Sequence, residues 1–373
     1  MTSPEAPPPP RPSRSRRALA SIAALAVAAG VFGFALRQYG SQSSPAGSNA
    51  RAQAVASSAA PTQNAGGLNV DAIAAKVDPA VVTVTNTLAG GQGQALGTGM
   101  VITPSGEVIT NNHVIENAGS VRVKIGGTGP SHSAQVLGYN VREDVALLKV
   151  DGVSDLKTVA TDTSSSVGEA VVALGNGGGR GGTPDATTGS VTAIGEAITV
   201  GDVGGGAHRL TNLIRVNAPL QPGDSGGPLV DAEAEVIGVN TAASSGGFRL
   251  GAGSRTGFAI PIKTALSIAT QIESGQGSGD THVGERAFLG VSIRSGGAST
   301  EVAGAQSGSP ADKAGIGQGD QIVSVGGTKV RSIDDLTSAL APYHPRDKVD
   351  VGWTDASGRR HTANITLAAG PPA

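Results

Sequence analysis

The chain has 373 residues, of which 38% are hydrophobic, enough for two globular domains of ordinary size with extra segments. A formal net charge of −2 argues against a nucleic-acid binder, which needs a basic face. Cysteine is absent and the six histidines show no ligand spacing, so neither disulfide staples nor a metal site nor any other cofactor is expected.

Residues 1–17, with their run Pro7 to Pro10, read as an extended cytoplasmic tail. Residues 18–36 form an uncharged, mostly apolar run long enough to cross a bilayer as a transmembrane helix. Arg11, Arg14, Arg16 and Arg17 precede it and only Arg37 follows closely, which leaves the N-terminus in the cytoplasm and exports the rest as a single-pass cell-membrane protein. Small residues at Ala50, Ala52 and Ala54 keep a cleaved signal as the alternative. Residues 37–66, rich in Ser, Ala, Gly and Gln, lack apolar periodicity and read as a flexible tether.

The first ordered element is expected over Val70 to Val77, a helix capped by Asn69 and ended before Pro79. From Val81 onward, short apolar runs punctuated by glycine predict the many short strands of antiparallel barrels. His113 stands where such a run, Val108-Ile109-Thr110, gives way to polar residues, and Asp144 stands just before another, Val145 to Val150. The stretch Gly177-Gly178-Gly179-Arg180-Gly181-Gly182 is a loop, since one copy without aromatic residues makes no RNA-binding repeat. Gly223-Asp224-Ser225-Gly226-Gly227-Pro228 places a serine among glycines, as a nucleophile needs where backbone amides must face an oxyanion. Serine is a weak nucleophile until an imidazole takes its proton and a carboxylate orients that imidazole. His113, Asp144 and Ser225 therefore form a candidate catalytic triad, and their chain order is the chymotrypsin order. Ile262 to Ile272 reads as a closing amphipathic helix with Ala265, Ile268, Ala269 and Ile272 on one face. Residues 274–285 read as a second linker. Beyond it lies a small α+β module with one helix at Ser309-Pro310-Ala311-Asp312-Lys313-Ala314-Gly315 and another opened by Ser332.

Gly97-Thr98-Gly99-Met100-Val101-Ile102, the segment around His113, Asp144-Val145-Ala146-Leu147-Leu148-Lys149, the segment around Ser225 and Gly257-Phe258-Ala259-Ile260-Pro261 together resemble the HtrA (Deg) family of serine proteases. The resemblance implies a mainly β fold: a chymotrypsin-like double β-barrel protease domain over residues 67–273, then an α+β PDZ domain over residues 286–370. Phe288-Leu289-Gly290-Val291 is similar to the carboxylate-binding loop of the family's PDZ domains, which implies capture of C-terminal peptides as an added strand. A homotrimer, stress-response and quality-control duties, and substrates that are unfolded, damaged or regulatory exported polypeptides are further implications. The family usually has Asn before the nucleophile where this chain has Asp224, so a buried Asp224 needs another donor or a raised pKa. The family also usually has an Arg in the loop that begins here with Glu196, so Arg180 or Arg209 becomes the candidate relay.

The expected reaction is peptide hydrolysis through an acyl-enzyme, with the Gly223 and Ser225 amides as the oxyanion hole. In the chymotrypsin-like layout Pro219 and Leu220 fall at the primary specificity pocket, where the lack of a carboxylate predicts cleavage after small or medium aliphatic residues. A PDZ adaptor with an inactive protease fold is the rival class, and the intact His113, Asp144 and Ser225 argue against it.

Overall fold

Strands of opposite burial on alternate residues dominate the computed structural model, which describes residues 68–89, 93–201, 207–241, 256–277, 280–294 and 299–372. The expected tail, membrane span and tether, residues 1–66, lie outside them. Among the described residues no helix is long and apolar enough to cross a membrane.

Helix α1 (Val70–Val77) begins as expected, with the Asn69 side chain accepting from the Ala72 N–H at 3.1 Å. The first barrel follows: β1 (Val81–Leu88), β2 (Gln94–Val101), β3 (Glu107–Thr110), helix α2 (Asn112–Ile115), β4 (Ala118–Ile125), β5 (Ser131–Asn140) and β6 (Val145–Val150). Its strands run in the order β5-β4-β1-β2-β3-β6, and the β5 to β6 pairing closes the ring. The second barrel uses β7 (Ala160–Thr161), β8 (Ala170–Gly175), β9 (Asp185–Gly201), β10 (Ala207–Val216), β11 (Pro228–Val230), β12 (Glu235–Thr241) and β13 (Gly257–Pro261). Here β11-β8-β9-β10-β13-β12 closes through the β11 to β12 pairing, and β7 adds in parallel to β12. Full closure removes the sheet edges that would otherwise template aggregation.

Period-two alternation explains why several strands read as unbroken apolar runs. Val82, Val84, Val108 and Leu148 fill the first barrel, and Val171, Ala173, Val191 and Ile214 fill the second. Their neighbours Val81, Ile109, Leu147, Val172 and Leu174 point the other way into a shared core that spans both barrels. Each such fully buried Leu contributes about 1.5–3 kcal/mol. Helix α3 (Ile262–Glu273) buries Ile262, Ala265, Ile268, Ala269 and Ile272 against that core, the face expected from its pattern.

The segment expected to be a plain linker is more ordered than its composition suggests. Within it, β14 (Thr281–Val283) pairs antiparallel with β5, and the Asn140 side-chain amide donates to the Thr281 hydroxyl at 2.8 Å. Local composition missed this strand because its partner lies some 140 residues earlier, as the spacing of that bond records.

The C-terminal module comprises β15 (Arg286–Phe288), β16 (Val291–Ile293), β17 (Val302–Ala305), helix α4 (Pro310–Lys313), β18 (Gln321–Val325), β19 (Thr328–Lys329), helix α5 (Ile333–Leu340), β20 (Lys348–Thr354), β21 (Arg360–Thr366) and β22 (Ala368–Gly370). Both helices carry the caps expected: Ser309 accepts from the Asp312 N–H and Ser332 from the Asp335 N–H. A separate core of Leu289, Val302, Ile322, Leu336, Val351, Trp353 and Ile365 holds the module together.

Candidate active site

His113 sits on α2, at the end of β3, with 38% of its side chain exposed. Its ring Nδ1 lies 2.8 Å from Asp144 Oδ2 and 3.0 Å from Oδ1. The Asp144 carboxylate also accepts the His113 backbone N–H at 3.0 Å, so one residue fixes both the ring and the helix that carries it. Asp144 is buried, stands at a positive φ of 53°, and has its carbonyl held by the Asn111 side-chain amide at 2.8 Å. The protein around the ring withdraws water and would pull the imidazole pKa down. The charge and hydrogen bond of Asp144, with a smaller push from Glu116, outweigh that and raise it.

The nucleophile turn enters β11 of the second barrel. Ser225 is buried at its tip, with Gly223 and Gly226 at positive φ of 105° and 85° on either side. Two carbonyls in the turn set its peptide planes. Pro222 C=O accepts from Gly178 N–H at 2.8 Å and Asp224 C=O from Gly227 N–H at 3.0 Å. In trans peptides the N–H points opposite its carbonyl, so the Gly223 and Ser225 N–H groups are turned away from those partners. Such an arrangement can supply the paired donors of an oxyanion hole.

Sequence reasoning placed Thr98 within a motif and gave it no role, yet it couples the two barrels at this site. From β2 its hydroxyl donates to Gly223 C=O at 2.6 Å and accepts from Asn176 N–H at 2.9 Å. Its backbone N–H donates to Ser225 C=O at 2.8 Å. Its neighbour Gly97 lacks a Cβ that would sit 2.6 Å from a Val114 methyl and 3.3 Å from Ser225 C=O, so helix α2 and the serine turn can approach each other. A threonine between two glycines on a strand is the signal that points to such close backbone approach. Three parts thus converge: the imidazole with its carboxylate from one barrel, the serine turn from the other, and Thr98 between them.

The other expected site residues divide. Pro219 is exposed, while Leu220 is half-buried and packs where a Cβ on Gly257 would meet its Cδ1 at 2.7 Å. The four residues expected in the carboxylate-binding loop, Phe288 to Val291, run from the end of β15 to the start of β16. Leu289 C=O accepts from Ala311 N–H and Gly290 C=O from Gln306 N–H, both at 2.9 Å, which turns the following N–H groups outward. Phe288 lines a cavity of about 650 Å³ between α4 and β21 with Pro310, Lys313 and Ile365, and its ring stays beside the loop, 3.3 Å from where a Cβ on Gly290 would stand.

Arg180 lies on the glycine loop, its Nε 3.8 Å from where a Cβ on Gly178 would stand, and Arg209 lies on β10 opposite Thr199. Asp162, Asp231 and Glu235 bring carboxylate oxygens within 4.8 Å of one another. Asp231 and Asp162 already accept hydrogen bonds within their own turns, from Glu233, Glu235 and Ser164.

Residues 97–239 match the family model of the trypsin-like peptidase domain and residues 301–351 that of the PDZ domain. Serine protease PepD of Mycobacterium tuberculosis is 31% identical over 370 residues, covering 91% of this chain and 75% of that protein. The probable periplasmic serine endoprotease DegP-like of Bartonella henselae is 35% identical over 295 residues, covering 74% of this chain and 54% of the relative. The periplasmic serine endoprotease DegP of Salmonella typhimurium is 33% identical over 296 residues, covering 74% of this chain. The chain therefore spans three quarters of PepD but only 54% and 58% of the lengths of these two relatives.

Proposed function

We propose, for a chain that belongs to the HtrA family of serine proteases, that Ser225, His113 and Asp144 cleave exported polypeptides through an acyl-enzyme. The observation that carries this reading is the His113 Nδ1 to Asp144 Oδ2 bond of 2.8 Å, beside a serine turn pinned by Thr98. In that role Ser225 Oγ attacks the scissile carbonyl as His113 Nε2 takes its proton. The imidazolium is stabilised by Asp144 and then protonates the leaving amine. The Gly223 and Ser225 amides receive the oxyanion, each donor worth roughly 3 kcal/mol in the transition state.

Around that chemistry we place the finer features. Residues 18–36 anchor the chain with its N-terminus cytoplasmic, and the protease acts outside the cytoplasm, as the names of the periplasmic relatives suggest by analogy. Unfolded, damaged or regulatory exported proteins are the substrates, C-terminal peptides at Phe288, Leu289, Gly290 and Val291 modulate cleavage, and three copies assemble. Pro219 and Leu220 supply no carboxylate to the specificity pocket, so small or medium aliphatic residues are preferred before the cut; efficient cleavage after Lys or Arg in a peptide library refutes this.

The direct test is degradation of an unfolded protein by the full chain and by Ser225→Ala, with and without peptides ending in hydrophobic residues. Cleavage that needs Ser225 and rises with peptide supports the whole reading. Cleavage insensitive to every such peptide removes the modulation, and no cleavage with or without peptide favours the adaptor.

A further inference from the structure

Between the two amides of the oxyanion hole stands a buried carboxylate. Asp224 is 6% exposed, and its Oδ2 accepts the Gln221 backbone N–H at 2.8 Å while its own N–H donates to Gln221 C=O at 3.0 Å. These reciprocal bonds close the turn that presents Gly223. The other oxygen, Oδ1, faces backbone with no room for side chains: a Cβ on Gly175 would come within 2.6 Å of it and one on Gly177 within 3.2 Å. The same Gly177 position lies 3.6 Å from Oδ2 of Asp185, so two carboxylates converge on one glycine.

The groups around Asp224 offer little to balance its charge. The end of β8 contributes Gly175, the glycine loop Asn176 and Gly177, β9 the like-charged Asp185, and β2 the uncharged Thr98. Arg180, on the same loop, is exposed and lies beside Gly178. Among the described residues no ion pair to Asp224 is formed.

We infer that Asp224 is a positioning residue whose charge state sets the competence of the oxyanion loop: in either state it closes the Gln221 to Gly223 turn, but ionised it also opposes both Asp185 and the oxyanion formed beside it. This inference rests on the catalytic assignment of Ser225. Burial pushes the Asp224 carboxyl up to about 6, the Gln221 hydrogen bond pulling down and Asp185 pushing further up. The transition therefore lies where a modest fall in pH changes the state of the loop. An asparagine at this position would keep the oxygen that Gln221 needs and remove the charge at every pH.

A fluorophosphonate probe reads this loop directly, because its phosphonyl oxygen enters the oxyanion hole as Ser225 is modified, with no demand on peptide specificity. The labelling rate of the full chain is measured from pH 5 to 9 for the wild type, Asp224→Asn and Ser225→Ala. Dividing the wild-type rate by the Asp224→Asn rate cancels the titration of His113, which is common to both. We expect the ratio to fall from about one at pH 5 to about one tenth above pH 8, with its midpoint near 6. In an Asp185→Asn background the midpoint moves to lower pH. A ratio that stays flat, or an Asp224→Asn protein that labels more slowly or fails to fold, overturns the role given to Asp224. Labelling that persists in Ser225→Ala, or is absent from every variant at every pH, instead overturns the catalytic assignment and the inference with it.

Discussion

Replacing Thr98 by valine keeps the shape of the side chain and removes a hydroxyl that ties the barrels together at the serine turn. That hydroxyl serves two buried backbone groups, Gly223 C=O at 2.6 Å and Asn176 N–H at 2.9 Å. A buried polar group deprived of its partner costs about 1–3 kcal/mol. Two of them give a loss of roughly 2–6 kcal/mol for Thr98→Val, which urea denaturation reads as a lower midpoint at unchanged slope. The catalytic consequence is separate. Once Gly223 C=O is released, the turn on which the Gly223 N–H depends loses an anchor, and loss of one oxyanion donor costs about 10² to 10³ in kcat. Labelling by the fluorophosphonate probe should fall accordingly in the protein that remains folded. Thr98→Ser retains the hydroxyl and should recover most of the rate while losing only the methyl packing. If Thr98→Val stays within about 0.5 kcal/mol of the wild type and labels at the same rate, the coupling argued from these two bonds is wrong.

Three further outcomes are expected. Because Asp144 raises the His113 pKa, the acid limb of the pH-rate profile should lie above the ordinary value of 6.5, and Asp144→Asn should move it down while costing about 10⁴ in kcat. The Asp224 carboxyl is raised from 3.8 to about 6 in the folded protein, so the native state holds its proton more tightly than the unfolded chain. Its stabilising contribution is present below pH 3.8 and lost as pH rises through 6, so Asp224→Asn should be more stable than the wild type by about 2–3 kcal/mol at pH 8 and by little at pH 3.5 in chemical denaturation. If Arg180 or Arg209 relays peptide binding to the active site, Arg180→Ala or Arg209→Ala should abolish stimulation by C-terminal peptides, and unchanged stimulation in both removes the relay from these two residues.

What could be read from the sequence was the information that neighbouring residues carry. Asn69, Ser309 and Ser332 announce their helices because a cap acts within three positions of the amide it satisfies, and each was found bonded as its spacing required. The candidate triad was legible for a related reason. His113, Asp144 and Ser225 each sit at the boundary of a strand whose apolar alternation is visible alone, and their order along the chain limits the folds that can bring them together.

Thr98 and β14 show where that information ends. The bond from Thr98 to Gly223 spans 125 residues and the one from Asn140 to Thr281 spans 141, so no window of sequence contains both partners. Asp224 falls between these cases. Its identity beside the nucleophile is plain in the sequence, and the need for a donor or a raised pKa follows from burial alone. Which of the two holds depends on what surrounds it: two glycines without side chains, a second carboxylate, and one backbone N–H. Glycine at 175 and 177 leaves space for the carboxyl without offering it a cation, and that combination favours the neutral form. The same glycine-rich loop holds Pro222 C=O through Gly178, so the segment that accommodates Asp224 also orients the Gly223 amide. A change of charge at Asp224 therefore acts on the oxyanion hole from both sides, through the turn that Asp224 closes and through the loop packed against it.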